Sequence, residues 1–180
     1  MFVQVENTPN PNSLKFIPGK KVSEVGPLEV LDVKDIKSDF VKSILSIKGV
    51  ISIFFYEDFL SINKSKDVEW NEIKHIVISY INDFYSEGNS CIISKEEKNK
   101  NENDFSEIEK KIIQILETKI RPAVSRDGGD ISLSSFKDGI VTVKLQGSCS
   151  GCPSSTITLK RGVENLLTHY IPEIKEVRSI

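Results

Sequence analysis

Two thiols three positions apart, Cys149 and Cys152, stand in the stretch Gly147-Ser148-Cys149-Ser150-Gly151-Cys152-Pro153-Ser154-Ser155. Cysteines at this spacing can aim their sulfurs the same way if the residues between them turn tightly, and Gly151 supplies that freedom. Pro153 suits the first turn of a helix, where its missing N–H is no loss. A helix starting there would present free backbone N–H groups and partial positive charge to the sulfurs, favouring thiolate over thiol. Thiolates are soft ligands that select zinc, copper(I) or iron–sulfur clusters.

Ligand counting comes next. Tetrahedral zinc and cubane iron–sulfur sites both take about four protein ligands. One loop gives two. The sequence has three cysteines in all, and the third, Cys91, lies across a polar segment. The two histidines, His75 and His169, are far apart, which excludes His-rich zinc motifs and metalloprotease signatures. An odd cysteine count on a chain with no secretory leader pattern is a poor disulfide framework. The simplest completion is a second copy of the same loop, giving four thiolates at a twofold interface. Three chemistries stay open on these residues: cluster binding, structural zinc, and thiol–disulfide exchange through a reversible Cys149–Cys152 bridge.

The elements that would position these thiols follow from patterning. Of 180 residues, 38% are apolar and 28% charged, which reads as globular. The formal charge of −2 gives no reason to expect nucleic acid or an acidic membrane surface as a partner. No apolar run reaches the ~18–20 residues of a membrane helix. Neither a secretory nor an Arg-rich targeting pattern opens the chain. The expected location is therefore the bacterial cytoplasm, or the mitochondrial matrix for a processed eukaryotic form.

Ser94 to Asp104 carries no apolar side chain. Such a segment cannot offset its ordering entropy, so it reads as a flexible linker. The expected division is a first domain at 1–90, a linker at 91–105 and a second domain at 106–180. In the first, Phe2–Val5 and Leu14–Ile17 flank the turn-rich Asn7-Thr8-Pro9-Asn10-Pro11-Asn12. A helix capped by Ser38 or Asp39, a hairpin over 50–63 and a helix carrying Trp70, Ile73, Val77, Tyr80, Ile81 and Phe84 complete β-β-α-β-β-α. In the second, Ser106 and Glu109 form a capping box before a helix that Pro122 kinks. Strands Ile131–Phe136 and Ile140–Leu145 turn at Lys137-Asp138-Gly139. A helix with Ile157, Lys160, Val163, Leu167 and Tyr170 on one side follows the cysteines, and Ile174–Ile180 is a last strand. The order is α-β-β-α-β, so the expected fold is two small α+β domains.

Asp127-Gly128-Gly129-Asp130, Leu145-Gln146-Gly147-Ser148-Cys149-Ser150-Gly151-Cys152-Pro153-Ser154-Ser155 and Thr158-Leu159-Lys160 together resemble the C-terminal NifU-like domain of Nfu-type iron–sulfur scaffold proteins. Asn7-Thr8-Pro9-Asn10-Pro11-Asn12-Ser13-Leu14-Lys15-Phe16 is similar to the companion Nfu N-terminal domain. The resemblance implies a non-enzymatic scaffold and carrier. It would hold a labile [4Fe–4S] cluster, or alternatively [2Fe–2S], between two monomers through Cys149 and Cys152 of each. The implied partners are a second copy, upstream iron–sulfur assembly proteins and apo client enzymes.

Other residues have plainer readings. Asp127 and Asp130, flanking two glycines at a helix–strand junction, cap and turn. His169 complements a helix C-terminus, and His75 is a partly exposed helix residue. Arg121, Arg126, Lys160 and Arg161 form a solvated surface, and Cys91 is an incidental buried thiol. Turn chemistry accounts for the Pro/Asn loop.

Overall fold

The computed structural model describes residues 2–95 and 104–180, and of residues 153–155 the backbone alone. Residues 96–103 of the expected linker 91–105 thus lie outside the described residues. The chain divides into two compact units, Met1–Asn99 and Lys100–Ile180. Both mix helices with a sheet of their own, so the fold is two α+β domains.

In the first unit, β1 (Gln4–Asn7) and β2 (Ser13–Ile17) form the expected hairpin, and β4 (Val50–Phe55) and β5 (Leu60–Lys64) a second. Antiparallel pairing of β2 with β5 joins them, and β3 (Leu28–Val30) completes the order β1-β2-β5-β4-β3. The sequence reading has no strand at β3: three residues are too few for a period-2 pattern, and pairing to β4 is what makes them a strand. Helix α1 (Asp39–Leu45) starts at Ser38, whose hydroxyl accepts from the Val41 N–H, and α2 (Trp70–Ser86) carries a Glu69/Glu72 capping box. Phe16, Ile53, Phe55, Leu60 and Ile62 of the sheet pack with Val41, Ile44, Val77 and Ile81 of the helices in one buried core. Tyr80, expected on that face, is 38% exposed; the buried tyrosine is Tyr85, whose hydroxyl donates to Lys21 O at 2.7 Å. The unit also extends past residue 90. Ile92 and Ile93 are buried, and both their N–H groups donate to Val22 O.

The second unit opens with α3 (Glu107–Ile115), its capping box formed by Ser106 and Glu109 as expected. Rather than a simple kink, the helix widens into a π-helical turn over Leu116–Ile120 and resumes as α4 (Arg121–Arg126). The Arg121 N–H reaches back five residues to Leu116 O, just before Pro122, which has no N–H to give the ladder. Strands β6 (Gly129–Lys137) and β7 (Ile140–Gly147) pair antiparallel around Asp138-Gly139, both at positive φ (53° and 78°), a turn that matches strand twist. Helix α5 (Pro153–Tyr170) crosses back to β8 (Glu176–Ser179), which runs parallel to β7. The buried stripe of α5 is not the expected one. Ile157 and Tyr170 are 54% and 50% exposed, while Val163 and Leu167 are fully buried and Leu159 packs against the same core. A four-residue repeat (159, 163, 167) keeps contact along this helix.

Candidate metal centre

Strands β6 and β7 remain paired to the end where β6 begins and β7 finishes, Gly129 opposite Gly147. That register sets the start of the cysteine loop beside the turn that closes α4, where Asp127 is the C-cap. Ser148 fastens the two together. Its N–H donates to Gly128 O at 3.2 Å and its hydroxyl to Asp127 O at 2.5 Å, leaving it 2% exposed. The chain then doubles back: the Ser150 N–H and hydroxyl both donate to Gly147 O, at 3.2 and 2.9 Å. Gly151, at φ +74°, makes the turn that a side chain would strain. Cys152 is the residue before α5, and its carbonyl accepts from the Thr156 N–H (2.9 Å) and hydroxyl (2.8 Å). The strand–loop–helix placement expected for the pair is thereby met.

Both cysteines are buried and neither is in a disulfide, and Cys149 packs in the core of the unit. Burial pushes the Cys149 thiol up to about 11. A hydrogen bond with Ser148 pulls the other way, and the charges of Asp127 and Asp130 add to the rise. Burial thus opposes at Cys149 the thiolate-favouring effect expected of the helix end. A soft metal must therefore displace a proton that the fold holds firmly.

Asp130 and Arg121 depart from the sequence reading. The Asp130 side chain is 1% exposed and takes a two-pronged ion pair from Arg121, Nε to Oδ1 at 2.8 Å and Nη2 to Oδ2 at 2.9 Å. Arg121, read from sequence as solvated surface, also meets Glu117 at 3.5 Å. This fork ties the first residues of β6 to α4, next in sequence to the Asp127–Gly129 turn to which Ser148 is bonded. No local spacing rule links a helix residue to a strand residue nine positions on, so sequence carried no sign of it.

The remaining candidates belong to other elements. His169 is in the last turn of α5, edge-on to Tyr170, and His75 is exposed on α2. Cys91 belongs to the first unit and is half-buried rather than buried. Among the described residues no three His, Cys, Asp or Glu side chains converge. The donor set is therefore two soft sulfurs from one loop, which fits the metals that thiolates select.

Comparison with known proteins agrees over both units. Residues 112–178 match the family model for the NifU-like domain, and residues 3–88 that for the Nfu/NifU scaffold protein N terminus. The chain is 44% identical over 186 aligned residues to the mitochondrial NifU-like protein 4 of Arabidopsis thaliana, with 99% of the chain and 66% of the relative covered. It is 42% identical over 185 residues to the human mitochondrial NFU1 iron-sulfur cluster scaffold homolog, covering the whole chain and 72% of the relative. The chain thus spans about two thirds of the length of these relatives. Among solved structures, a NifU-like protein from Saccharomyces cerevisiae matches at 27% identity and a TM-score of 0.48, over 53% of this chain and 86% of that one.

Proposed function

This chain belongs to the Nfu family of NifU-like iron–sulfur cluster scaffold proteins, which are scaffolds rather than enzymes, and from that premise we propose that it carries its cluster on Cys149 and Cys152. The cargo is a [4Fe–4S] cluster held between two copies of the chain, each giving one Cys149/Cys152 pair. The observation that carries this reading is the donor count. Two cysteines, neither in a disulfide, share one loop, and no third metal-binding side chain joins them among the described residues. A cubane takes about four protein ligands, so a second copy completes the set.

A site half-built in each chain is open by construction. Thiolates of an apo-protein replace those of the scaffold one at a time, each incoming sulfur binding iron as a Cys149 or Cys152 thiolate leaves and takes up a proton. Upstream assembly proteins supply the cluster and apo iron–sulfur proteins receive it. The relatives carry a mitochondrial label, and the reducing matrix, like the bacterial cytoplasm, keeps paired thiols available for iron.

The test is anaerobic reconstitution with iron and sulfide, followed by metal and sulfide analysis and native mass. A pair of chains holding about four iron and four sulfide is the expected product. A colourless monomer that takes up neither refutes the reading. Two iron and two sulfide per pair replaces the cubane by [2Fe–2S] while keeping the ligands.

A further inference from the structure

Glycine at a strand position weakens the strand unless something needs the space its side chain would fill. Gly129, the first residue of β6, has no positive φ to require glycine; its backbone suits any residue. Space is the constraint. A Cβ placed there would lie 2.5 Å from Cys149 Sγ, 2.8 Å from the Gln146 carbonyl oxygen and 3.1 Å from Cys149 Cβ. By contrast, a Cβ at Gly162, midway along α5, would meet no atom within 4 Å.

We propose that Gly129 is a positioning residue for the Cys149 sulfur: its bare Cα is the floor of a slot, and the Ser148 tether to Asp127 and Gly128 holds the thiol in it. This rests on the reading of Cys149 as a cluster ligand. Three contacts define the slot. The Gly129–Gly147 pairing brings the strand ends together, the two Ser148 hydrogen bonds fix the residue before the cysteine, and the missing side chain lets the sulfur settle over the strand. The Arg121–Asp130 fork anchors the next residue of β6, so the floor does not give way. One of the two thiols is then placed before any metal arrives, which lowers the ordering cost of assembling a four-sulfur site across two chains.

The test uses the full chain. Gly129→Ala is compared with wild type, and the same change is made in Cys149→Ala. If the sulfur occupies the slot, the fall in Tm caused by Gly129→Ala shrinks when Cys149 has no Sγ. Separately, in a Cys91→Ser/Cys152→Ser background, Gly129→Ala expels the Cys149 thiol toward solvent and speeds its alkylation by iodoacetamide about tenfold. An equal loss of Tm in both backgrounds, or an unchanged alkylation rate, overturns the inference. Should Gly129→Ala fail to fold, Ser148→Ala asks the same question of the tether: faster alkylation at Cys149 supports it and an unchanged rate overturns it. Failure of the functional reading looks different. Cys149→Ser that still assembles a wild-type cluster removes the ligand assignment, whatever the alkylation rates show.

Discussion

Two loops of this chain are rich in turn-forming residues, and they are held in different ways. The Pro/Asn loop between β1 and β2 uses its own side chains for its shape. Thr8 Oγ donates to the carbonyls of Asn10 and Ser13, and the Asn10 side-chain oxygen accepts the Asn12 N–H. Distant residues lock it further: Trp70 Nε1 donates to Pro11 O at 3.0 Å and Lys64 Nζ to the Asn12 side chain at 3.3 Å. In the cysteine loop the fastening falls to serines, a threonine and the backbone, and the residues that could bind metal are not the ones that carry the turns. A loop whose polar side chains are consumed in their own support is structural. One whose serines carry the support keeps its cysteines for other work.

The comparison breaks most decisively at the thiols. Cys149→Ser or Cys152→Ser is expected to abolish cluster uptake and cluster-linked pairing of chains while the second unit stays folded, read from visible absorbance and native mass. Next in size is the support beneath the loop. Asp130→Asn leaves Arg121 facing a group that no longer carries charge, and breaking a buried pair of this kind destabilises by about 3 kcal/mol, measurable as urea unfolding of the second unit. Trp70→Phe removes one long-range hydrogen bond of the Pro/Asn loop and should cost about 1 kcal/mol in the first unit with cluster uptake unchanged. A loss of cluster in that variant would give the first loop a part in the chemistry after all. Smallest of all is Cys91→Ser, expected to leave iron and sulfide content at wild-type level.

The protonation state of Cys149 sharpens the same contrast. Its pKa lies near 11 in the fold against an ordinary value of 9.0, because burial disfavours the charged form. A raised thiol pKa means that its contribution to stability is fully present below pH 9 and is lost as pH rises through 11. Alkylation of Cys149 in the metal-free chain should therefore climb about tenfold per pH unit up to that range. A plateau near neutral pH would show that the helix end, not burial, governs this sulfur.

Much of this molecule was legible as one-dimensional pattern. The capping box Ser106/Glu109, the Asp138-Gly139 turn, the hairpins and the strand–loop–helix setting of Cys149 and Cys152 are local events, decided by residues within a few positions of each other. What escaped was pairing at a distance. The strand β3 exists because β4 lies beside it, and Ile92 and Ile93 belong to the first unit because Val22 receives their N–H groups. Helix faces misled in part: Tyr80 and Ile157 fit a helical stripe but point to solvent, since a stripe drawn from spacing alone does not say which edge meets the sheet.

The chain itself determined which atoms can hold metal and how many it brings, because a sulfur is present or absent whatever the fold. Tertiary structure decided how that sulfur is held. Register between β6 and β7, the Arg121–Asp130 fork and the sulfur packed over the bare Cα of Gly129 meet only after residues far apart in sequence have been packed together. Steric room and burial are properties of that packing, and no spacing of letters contains them.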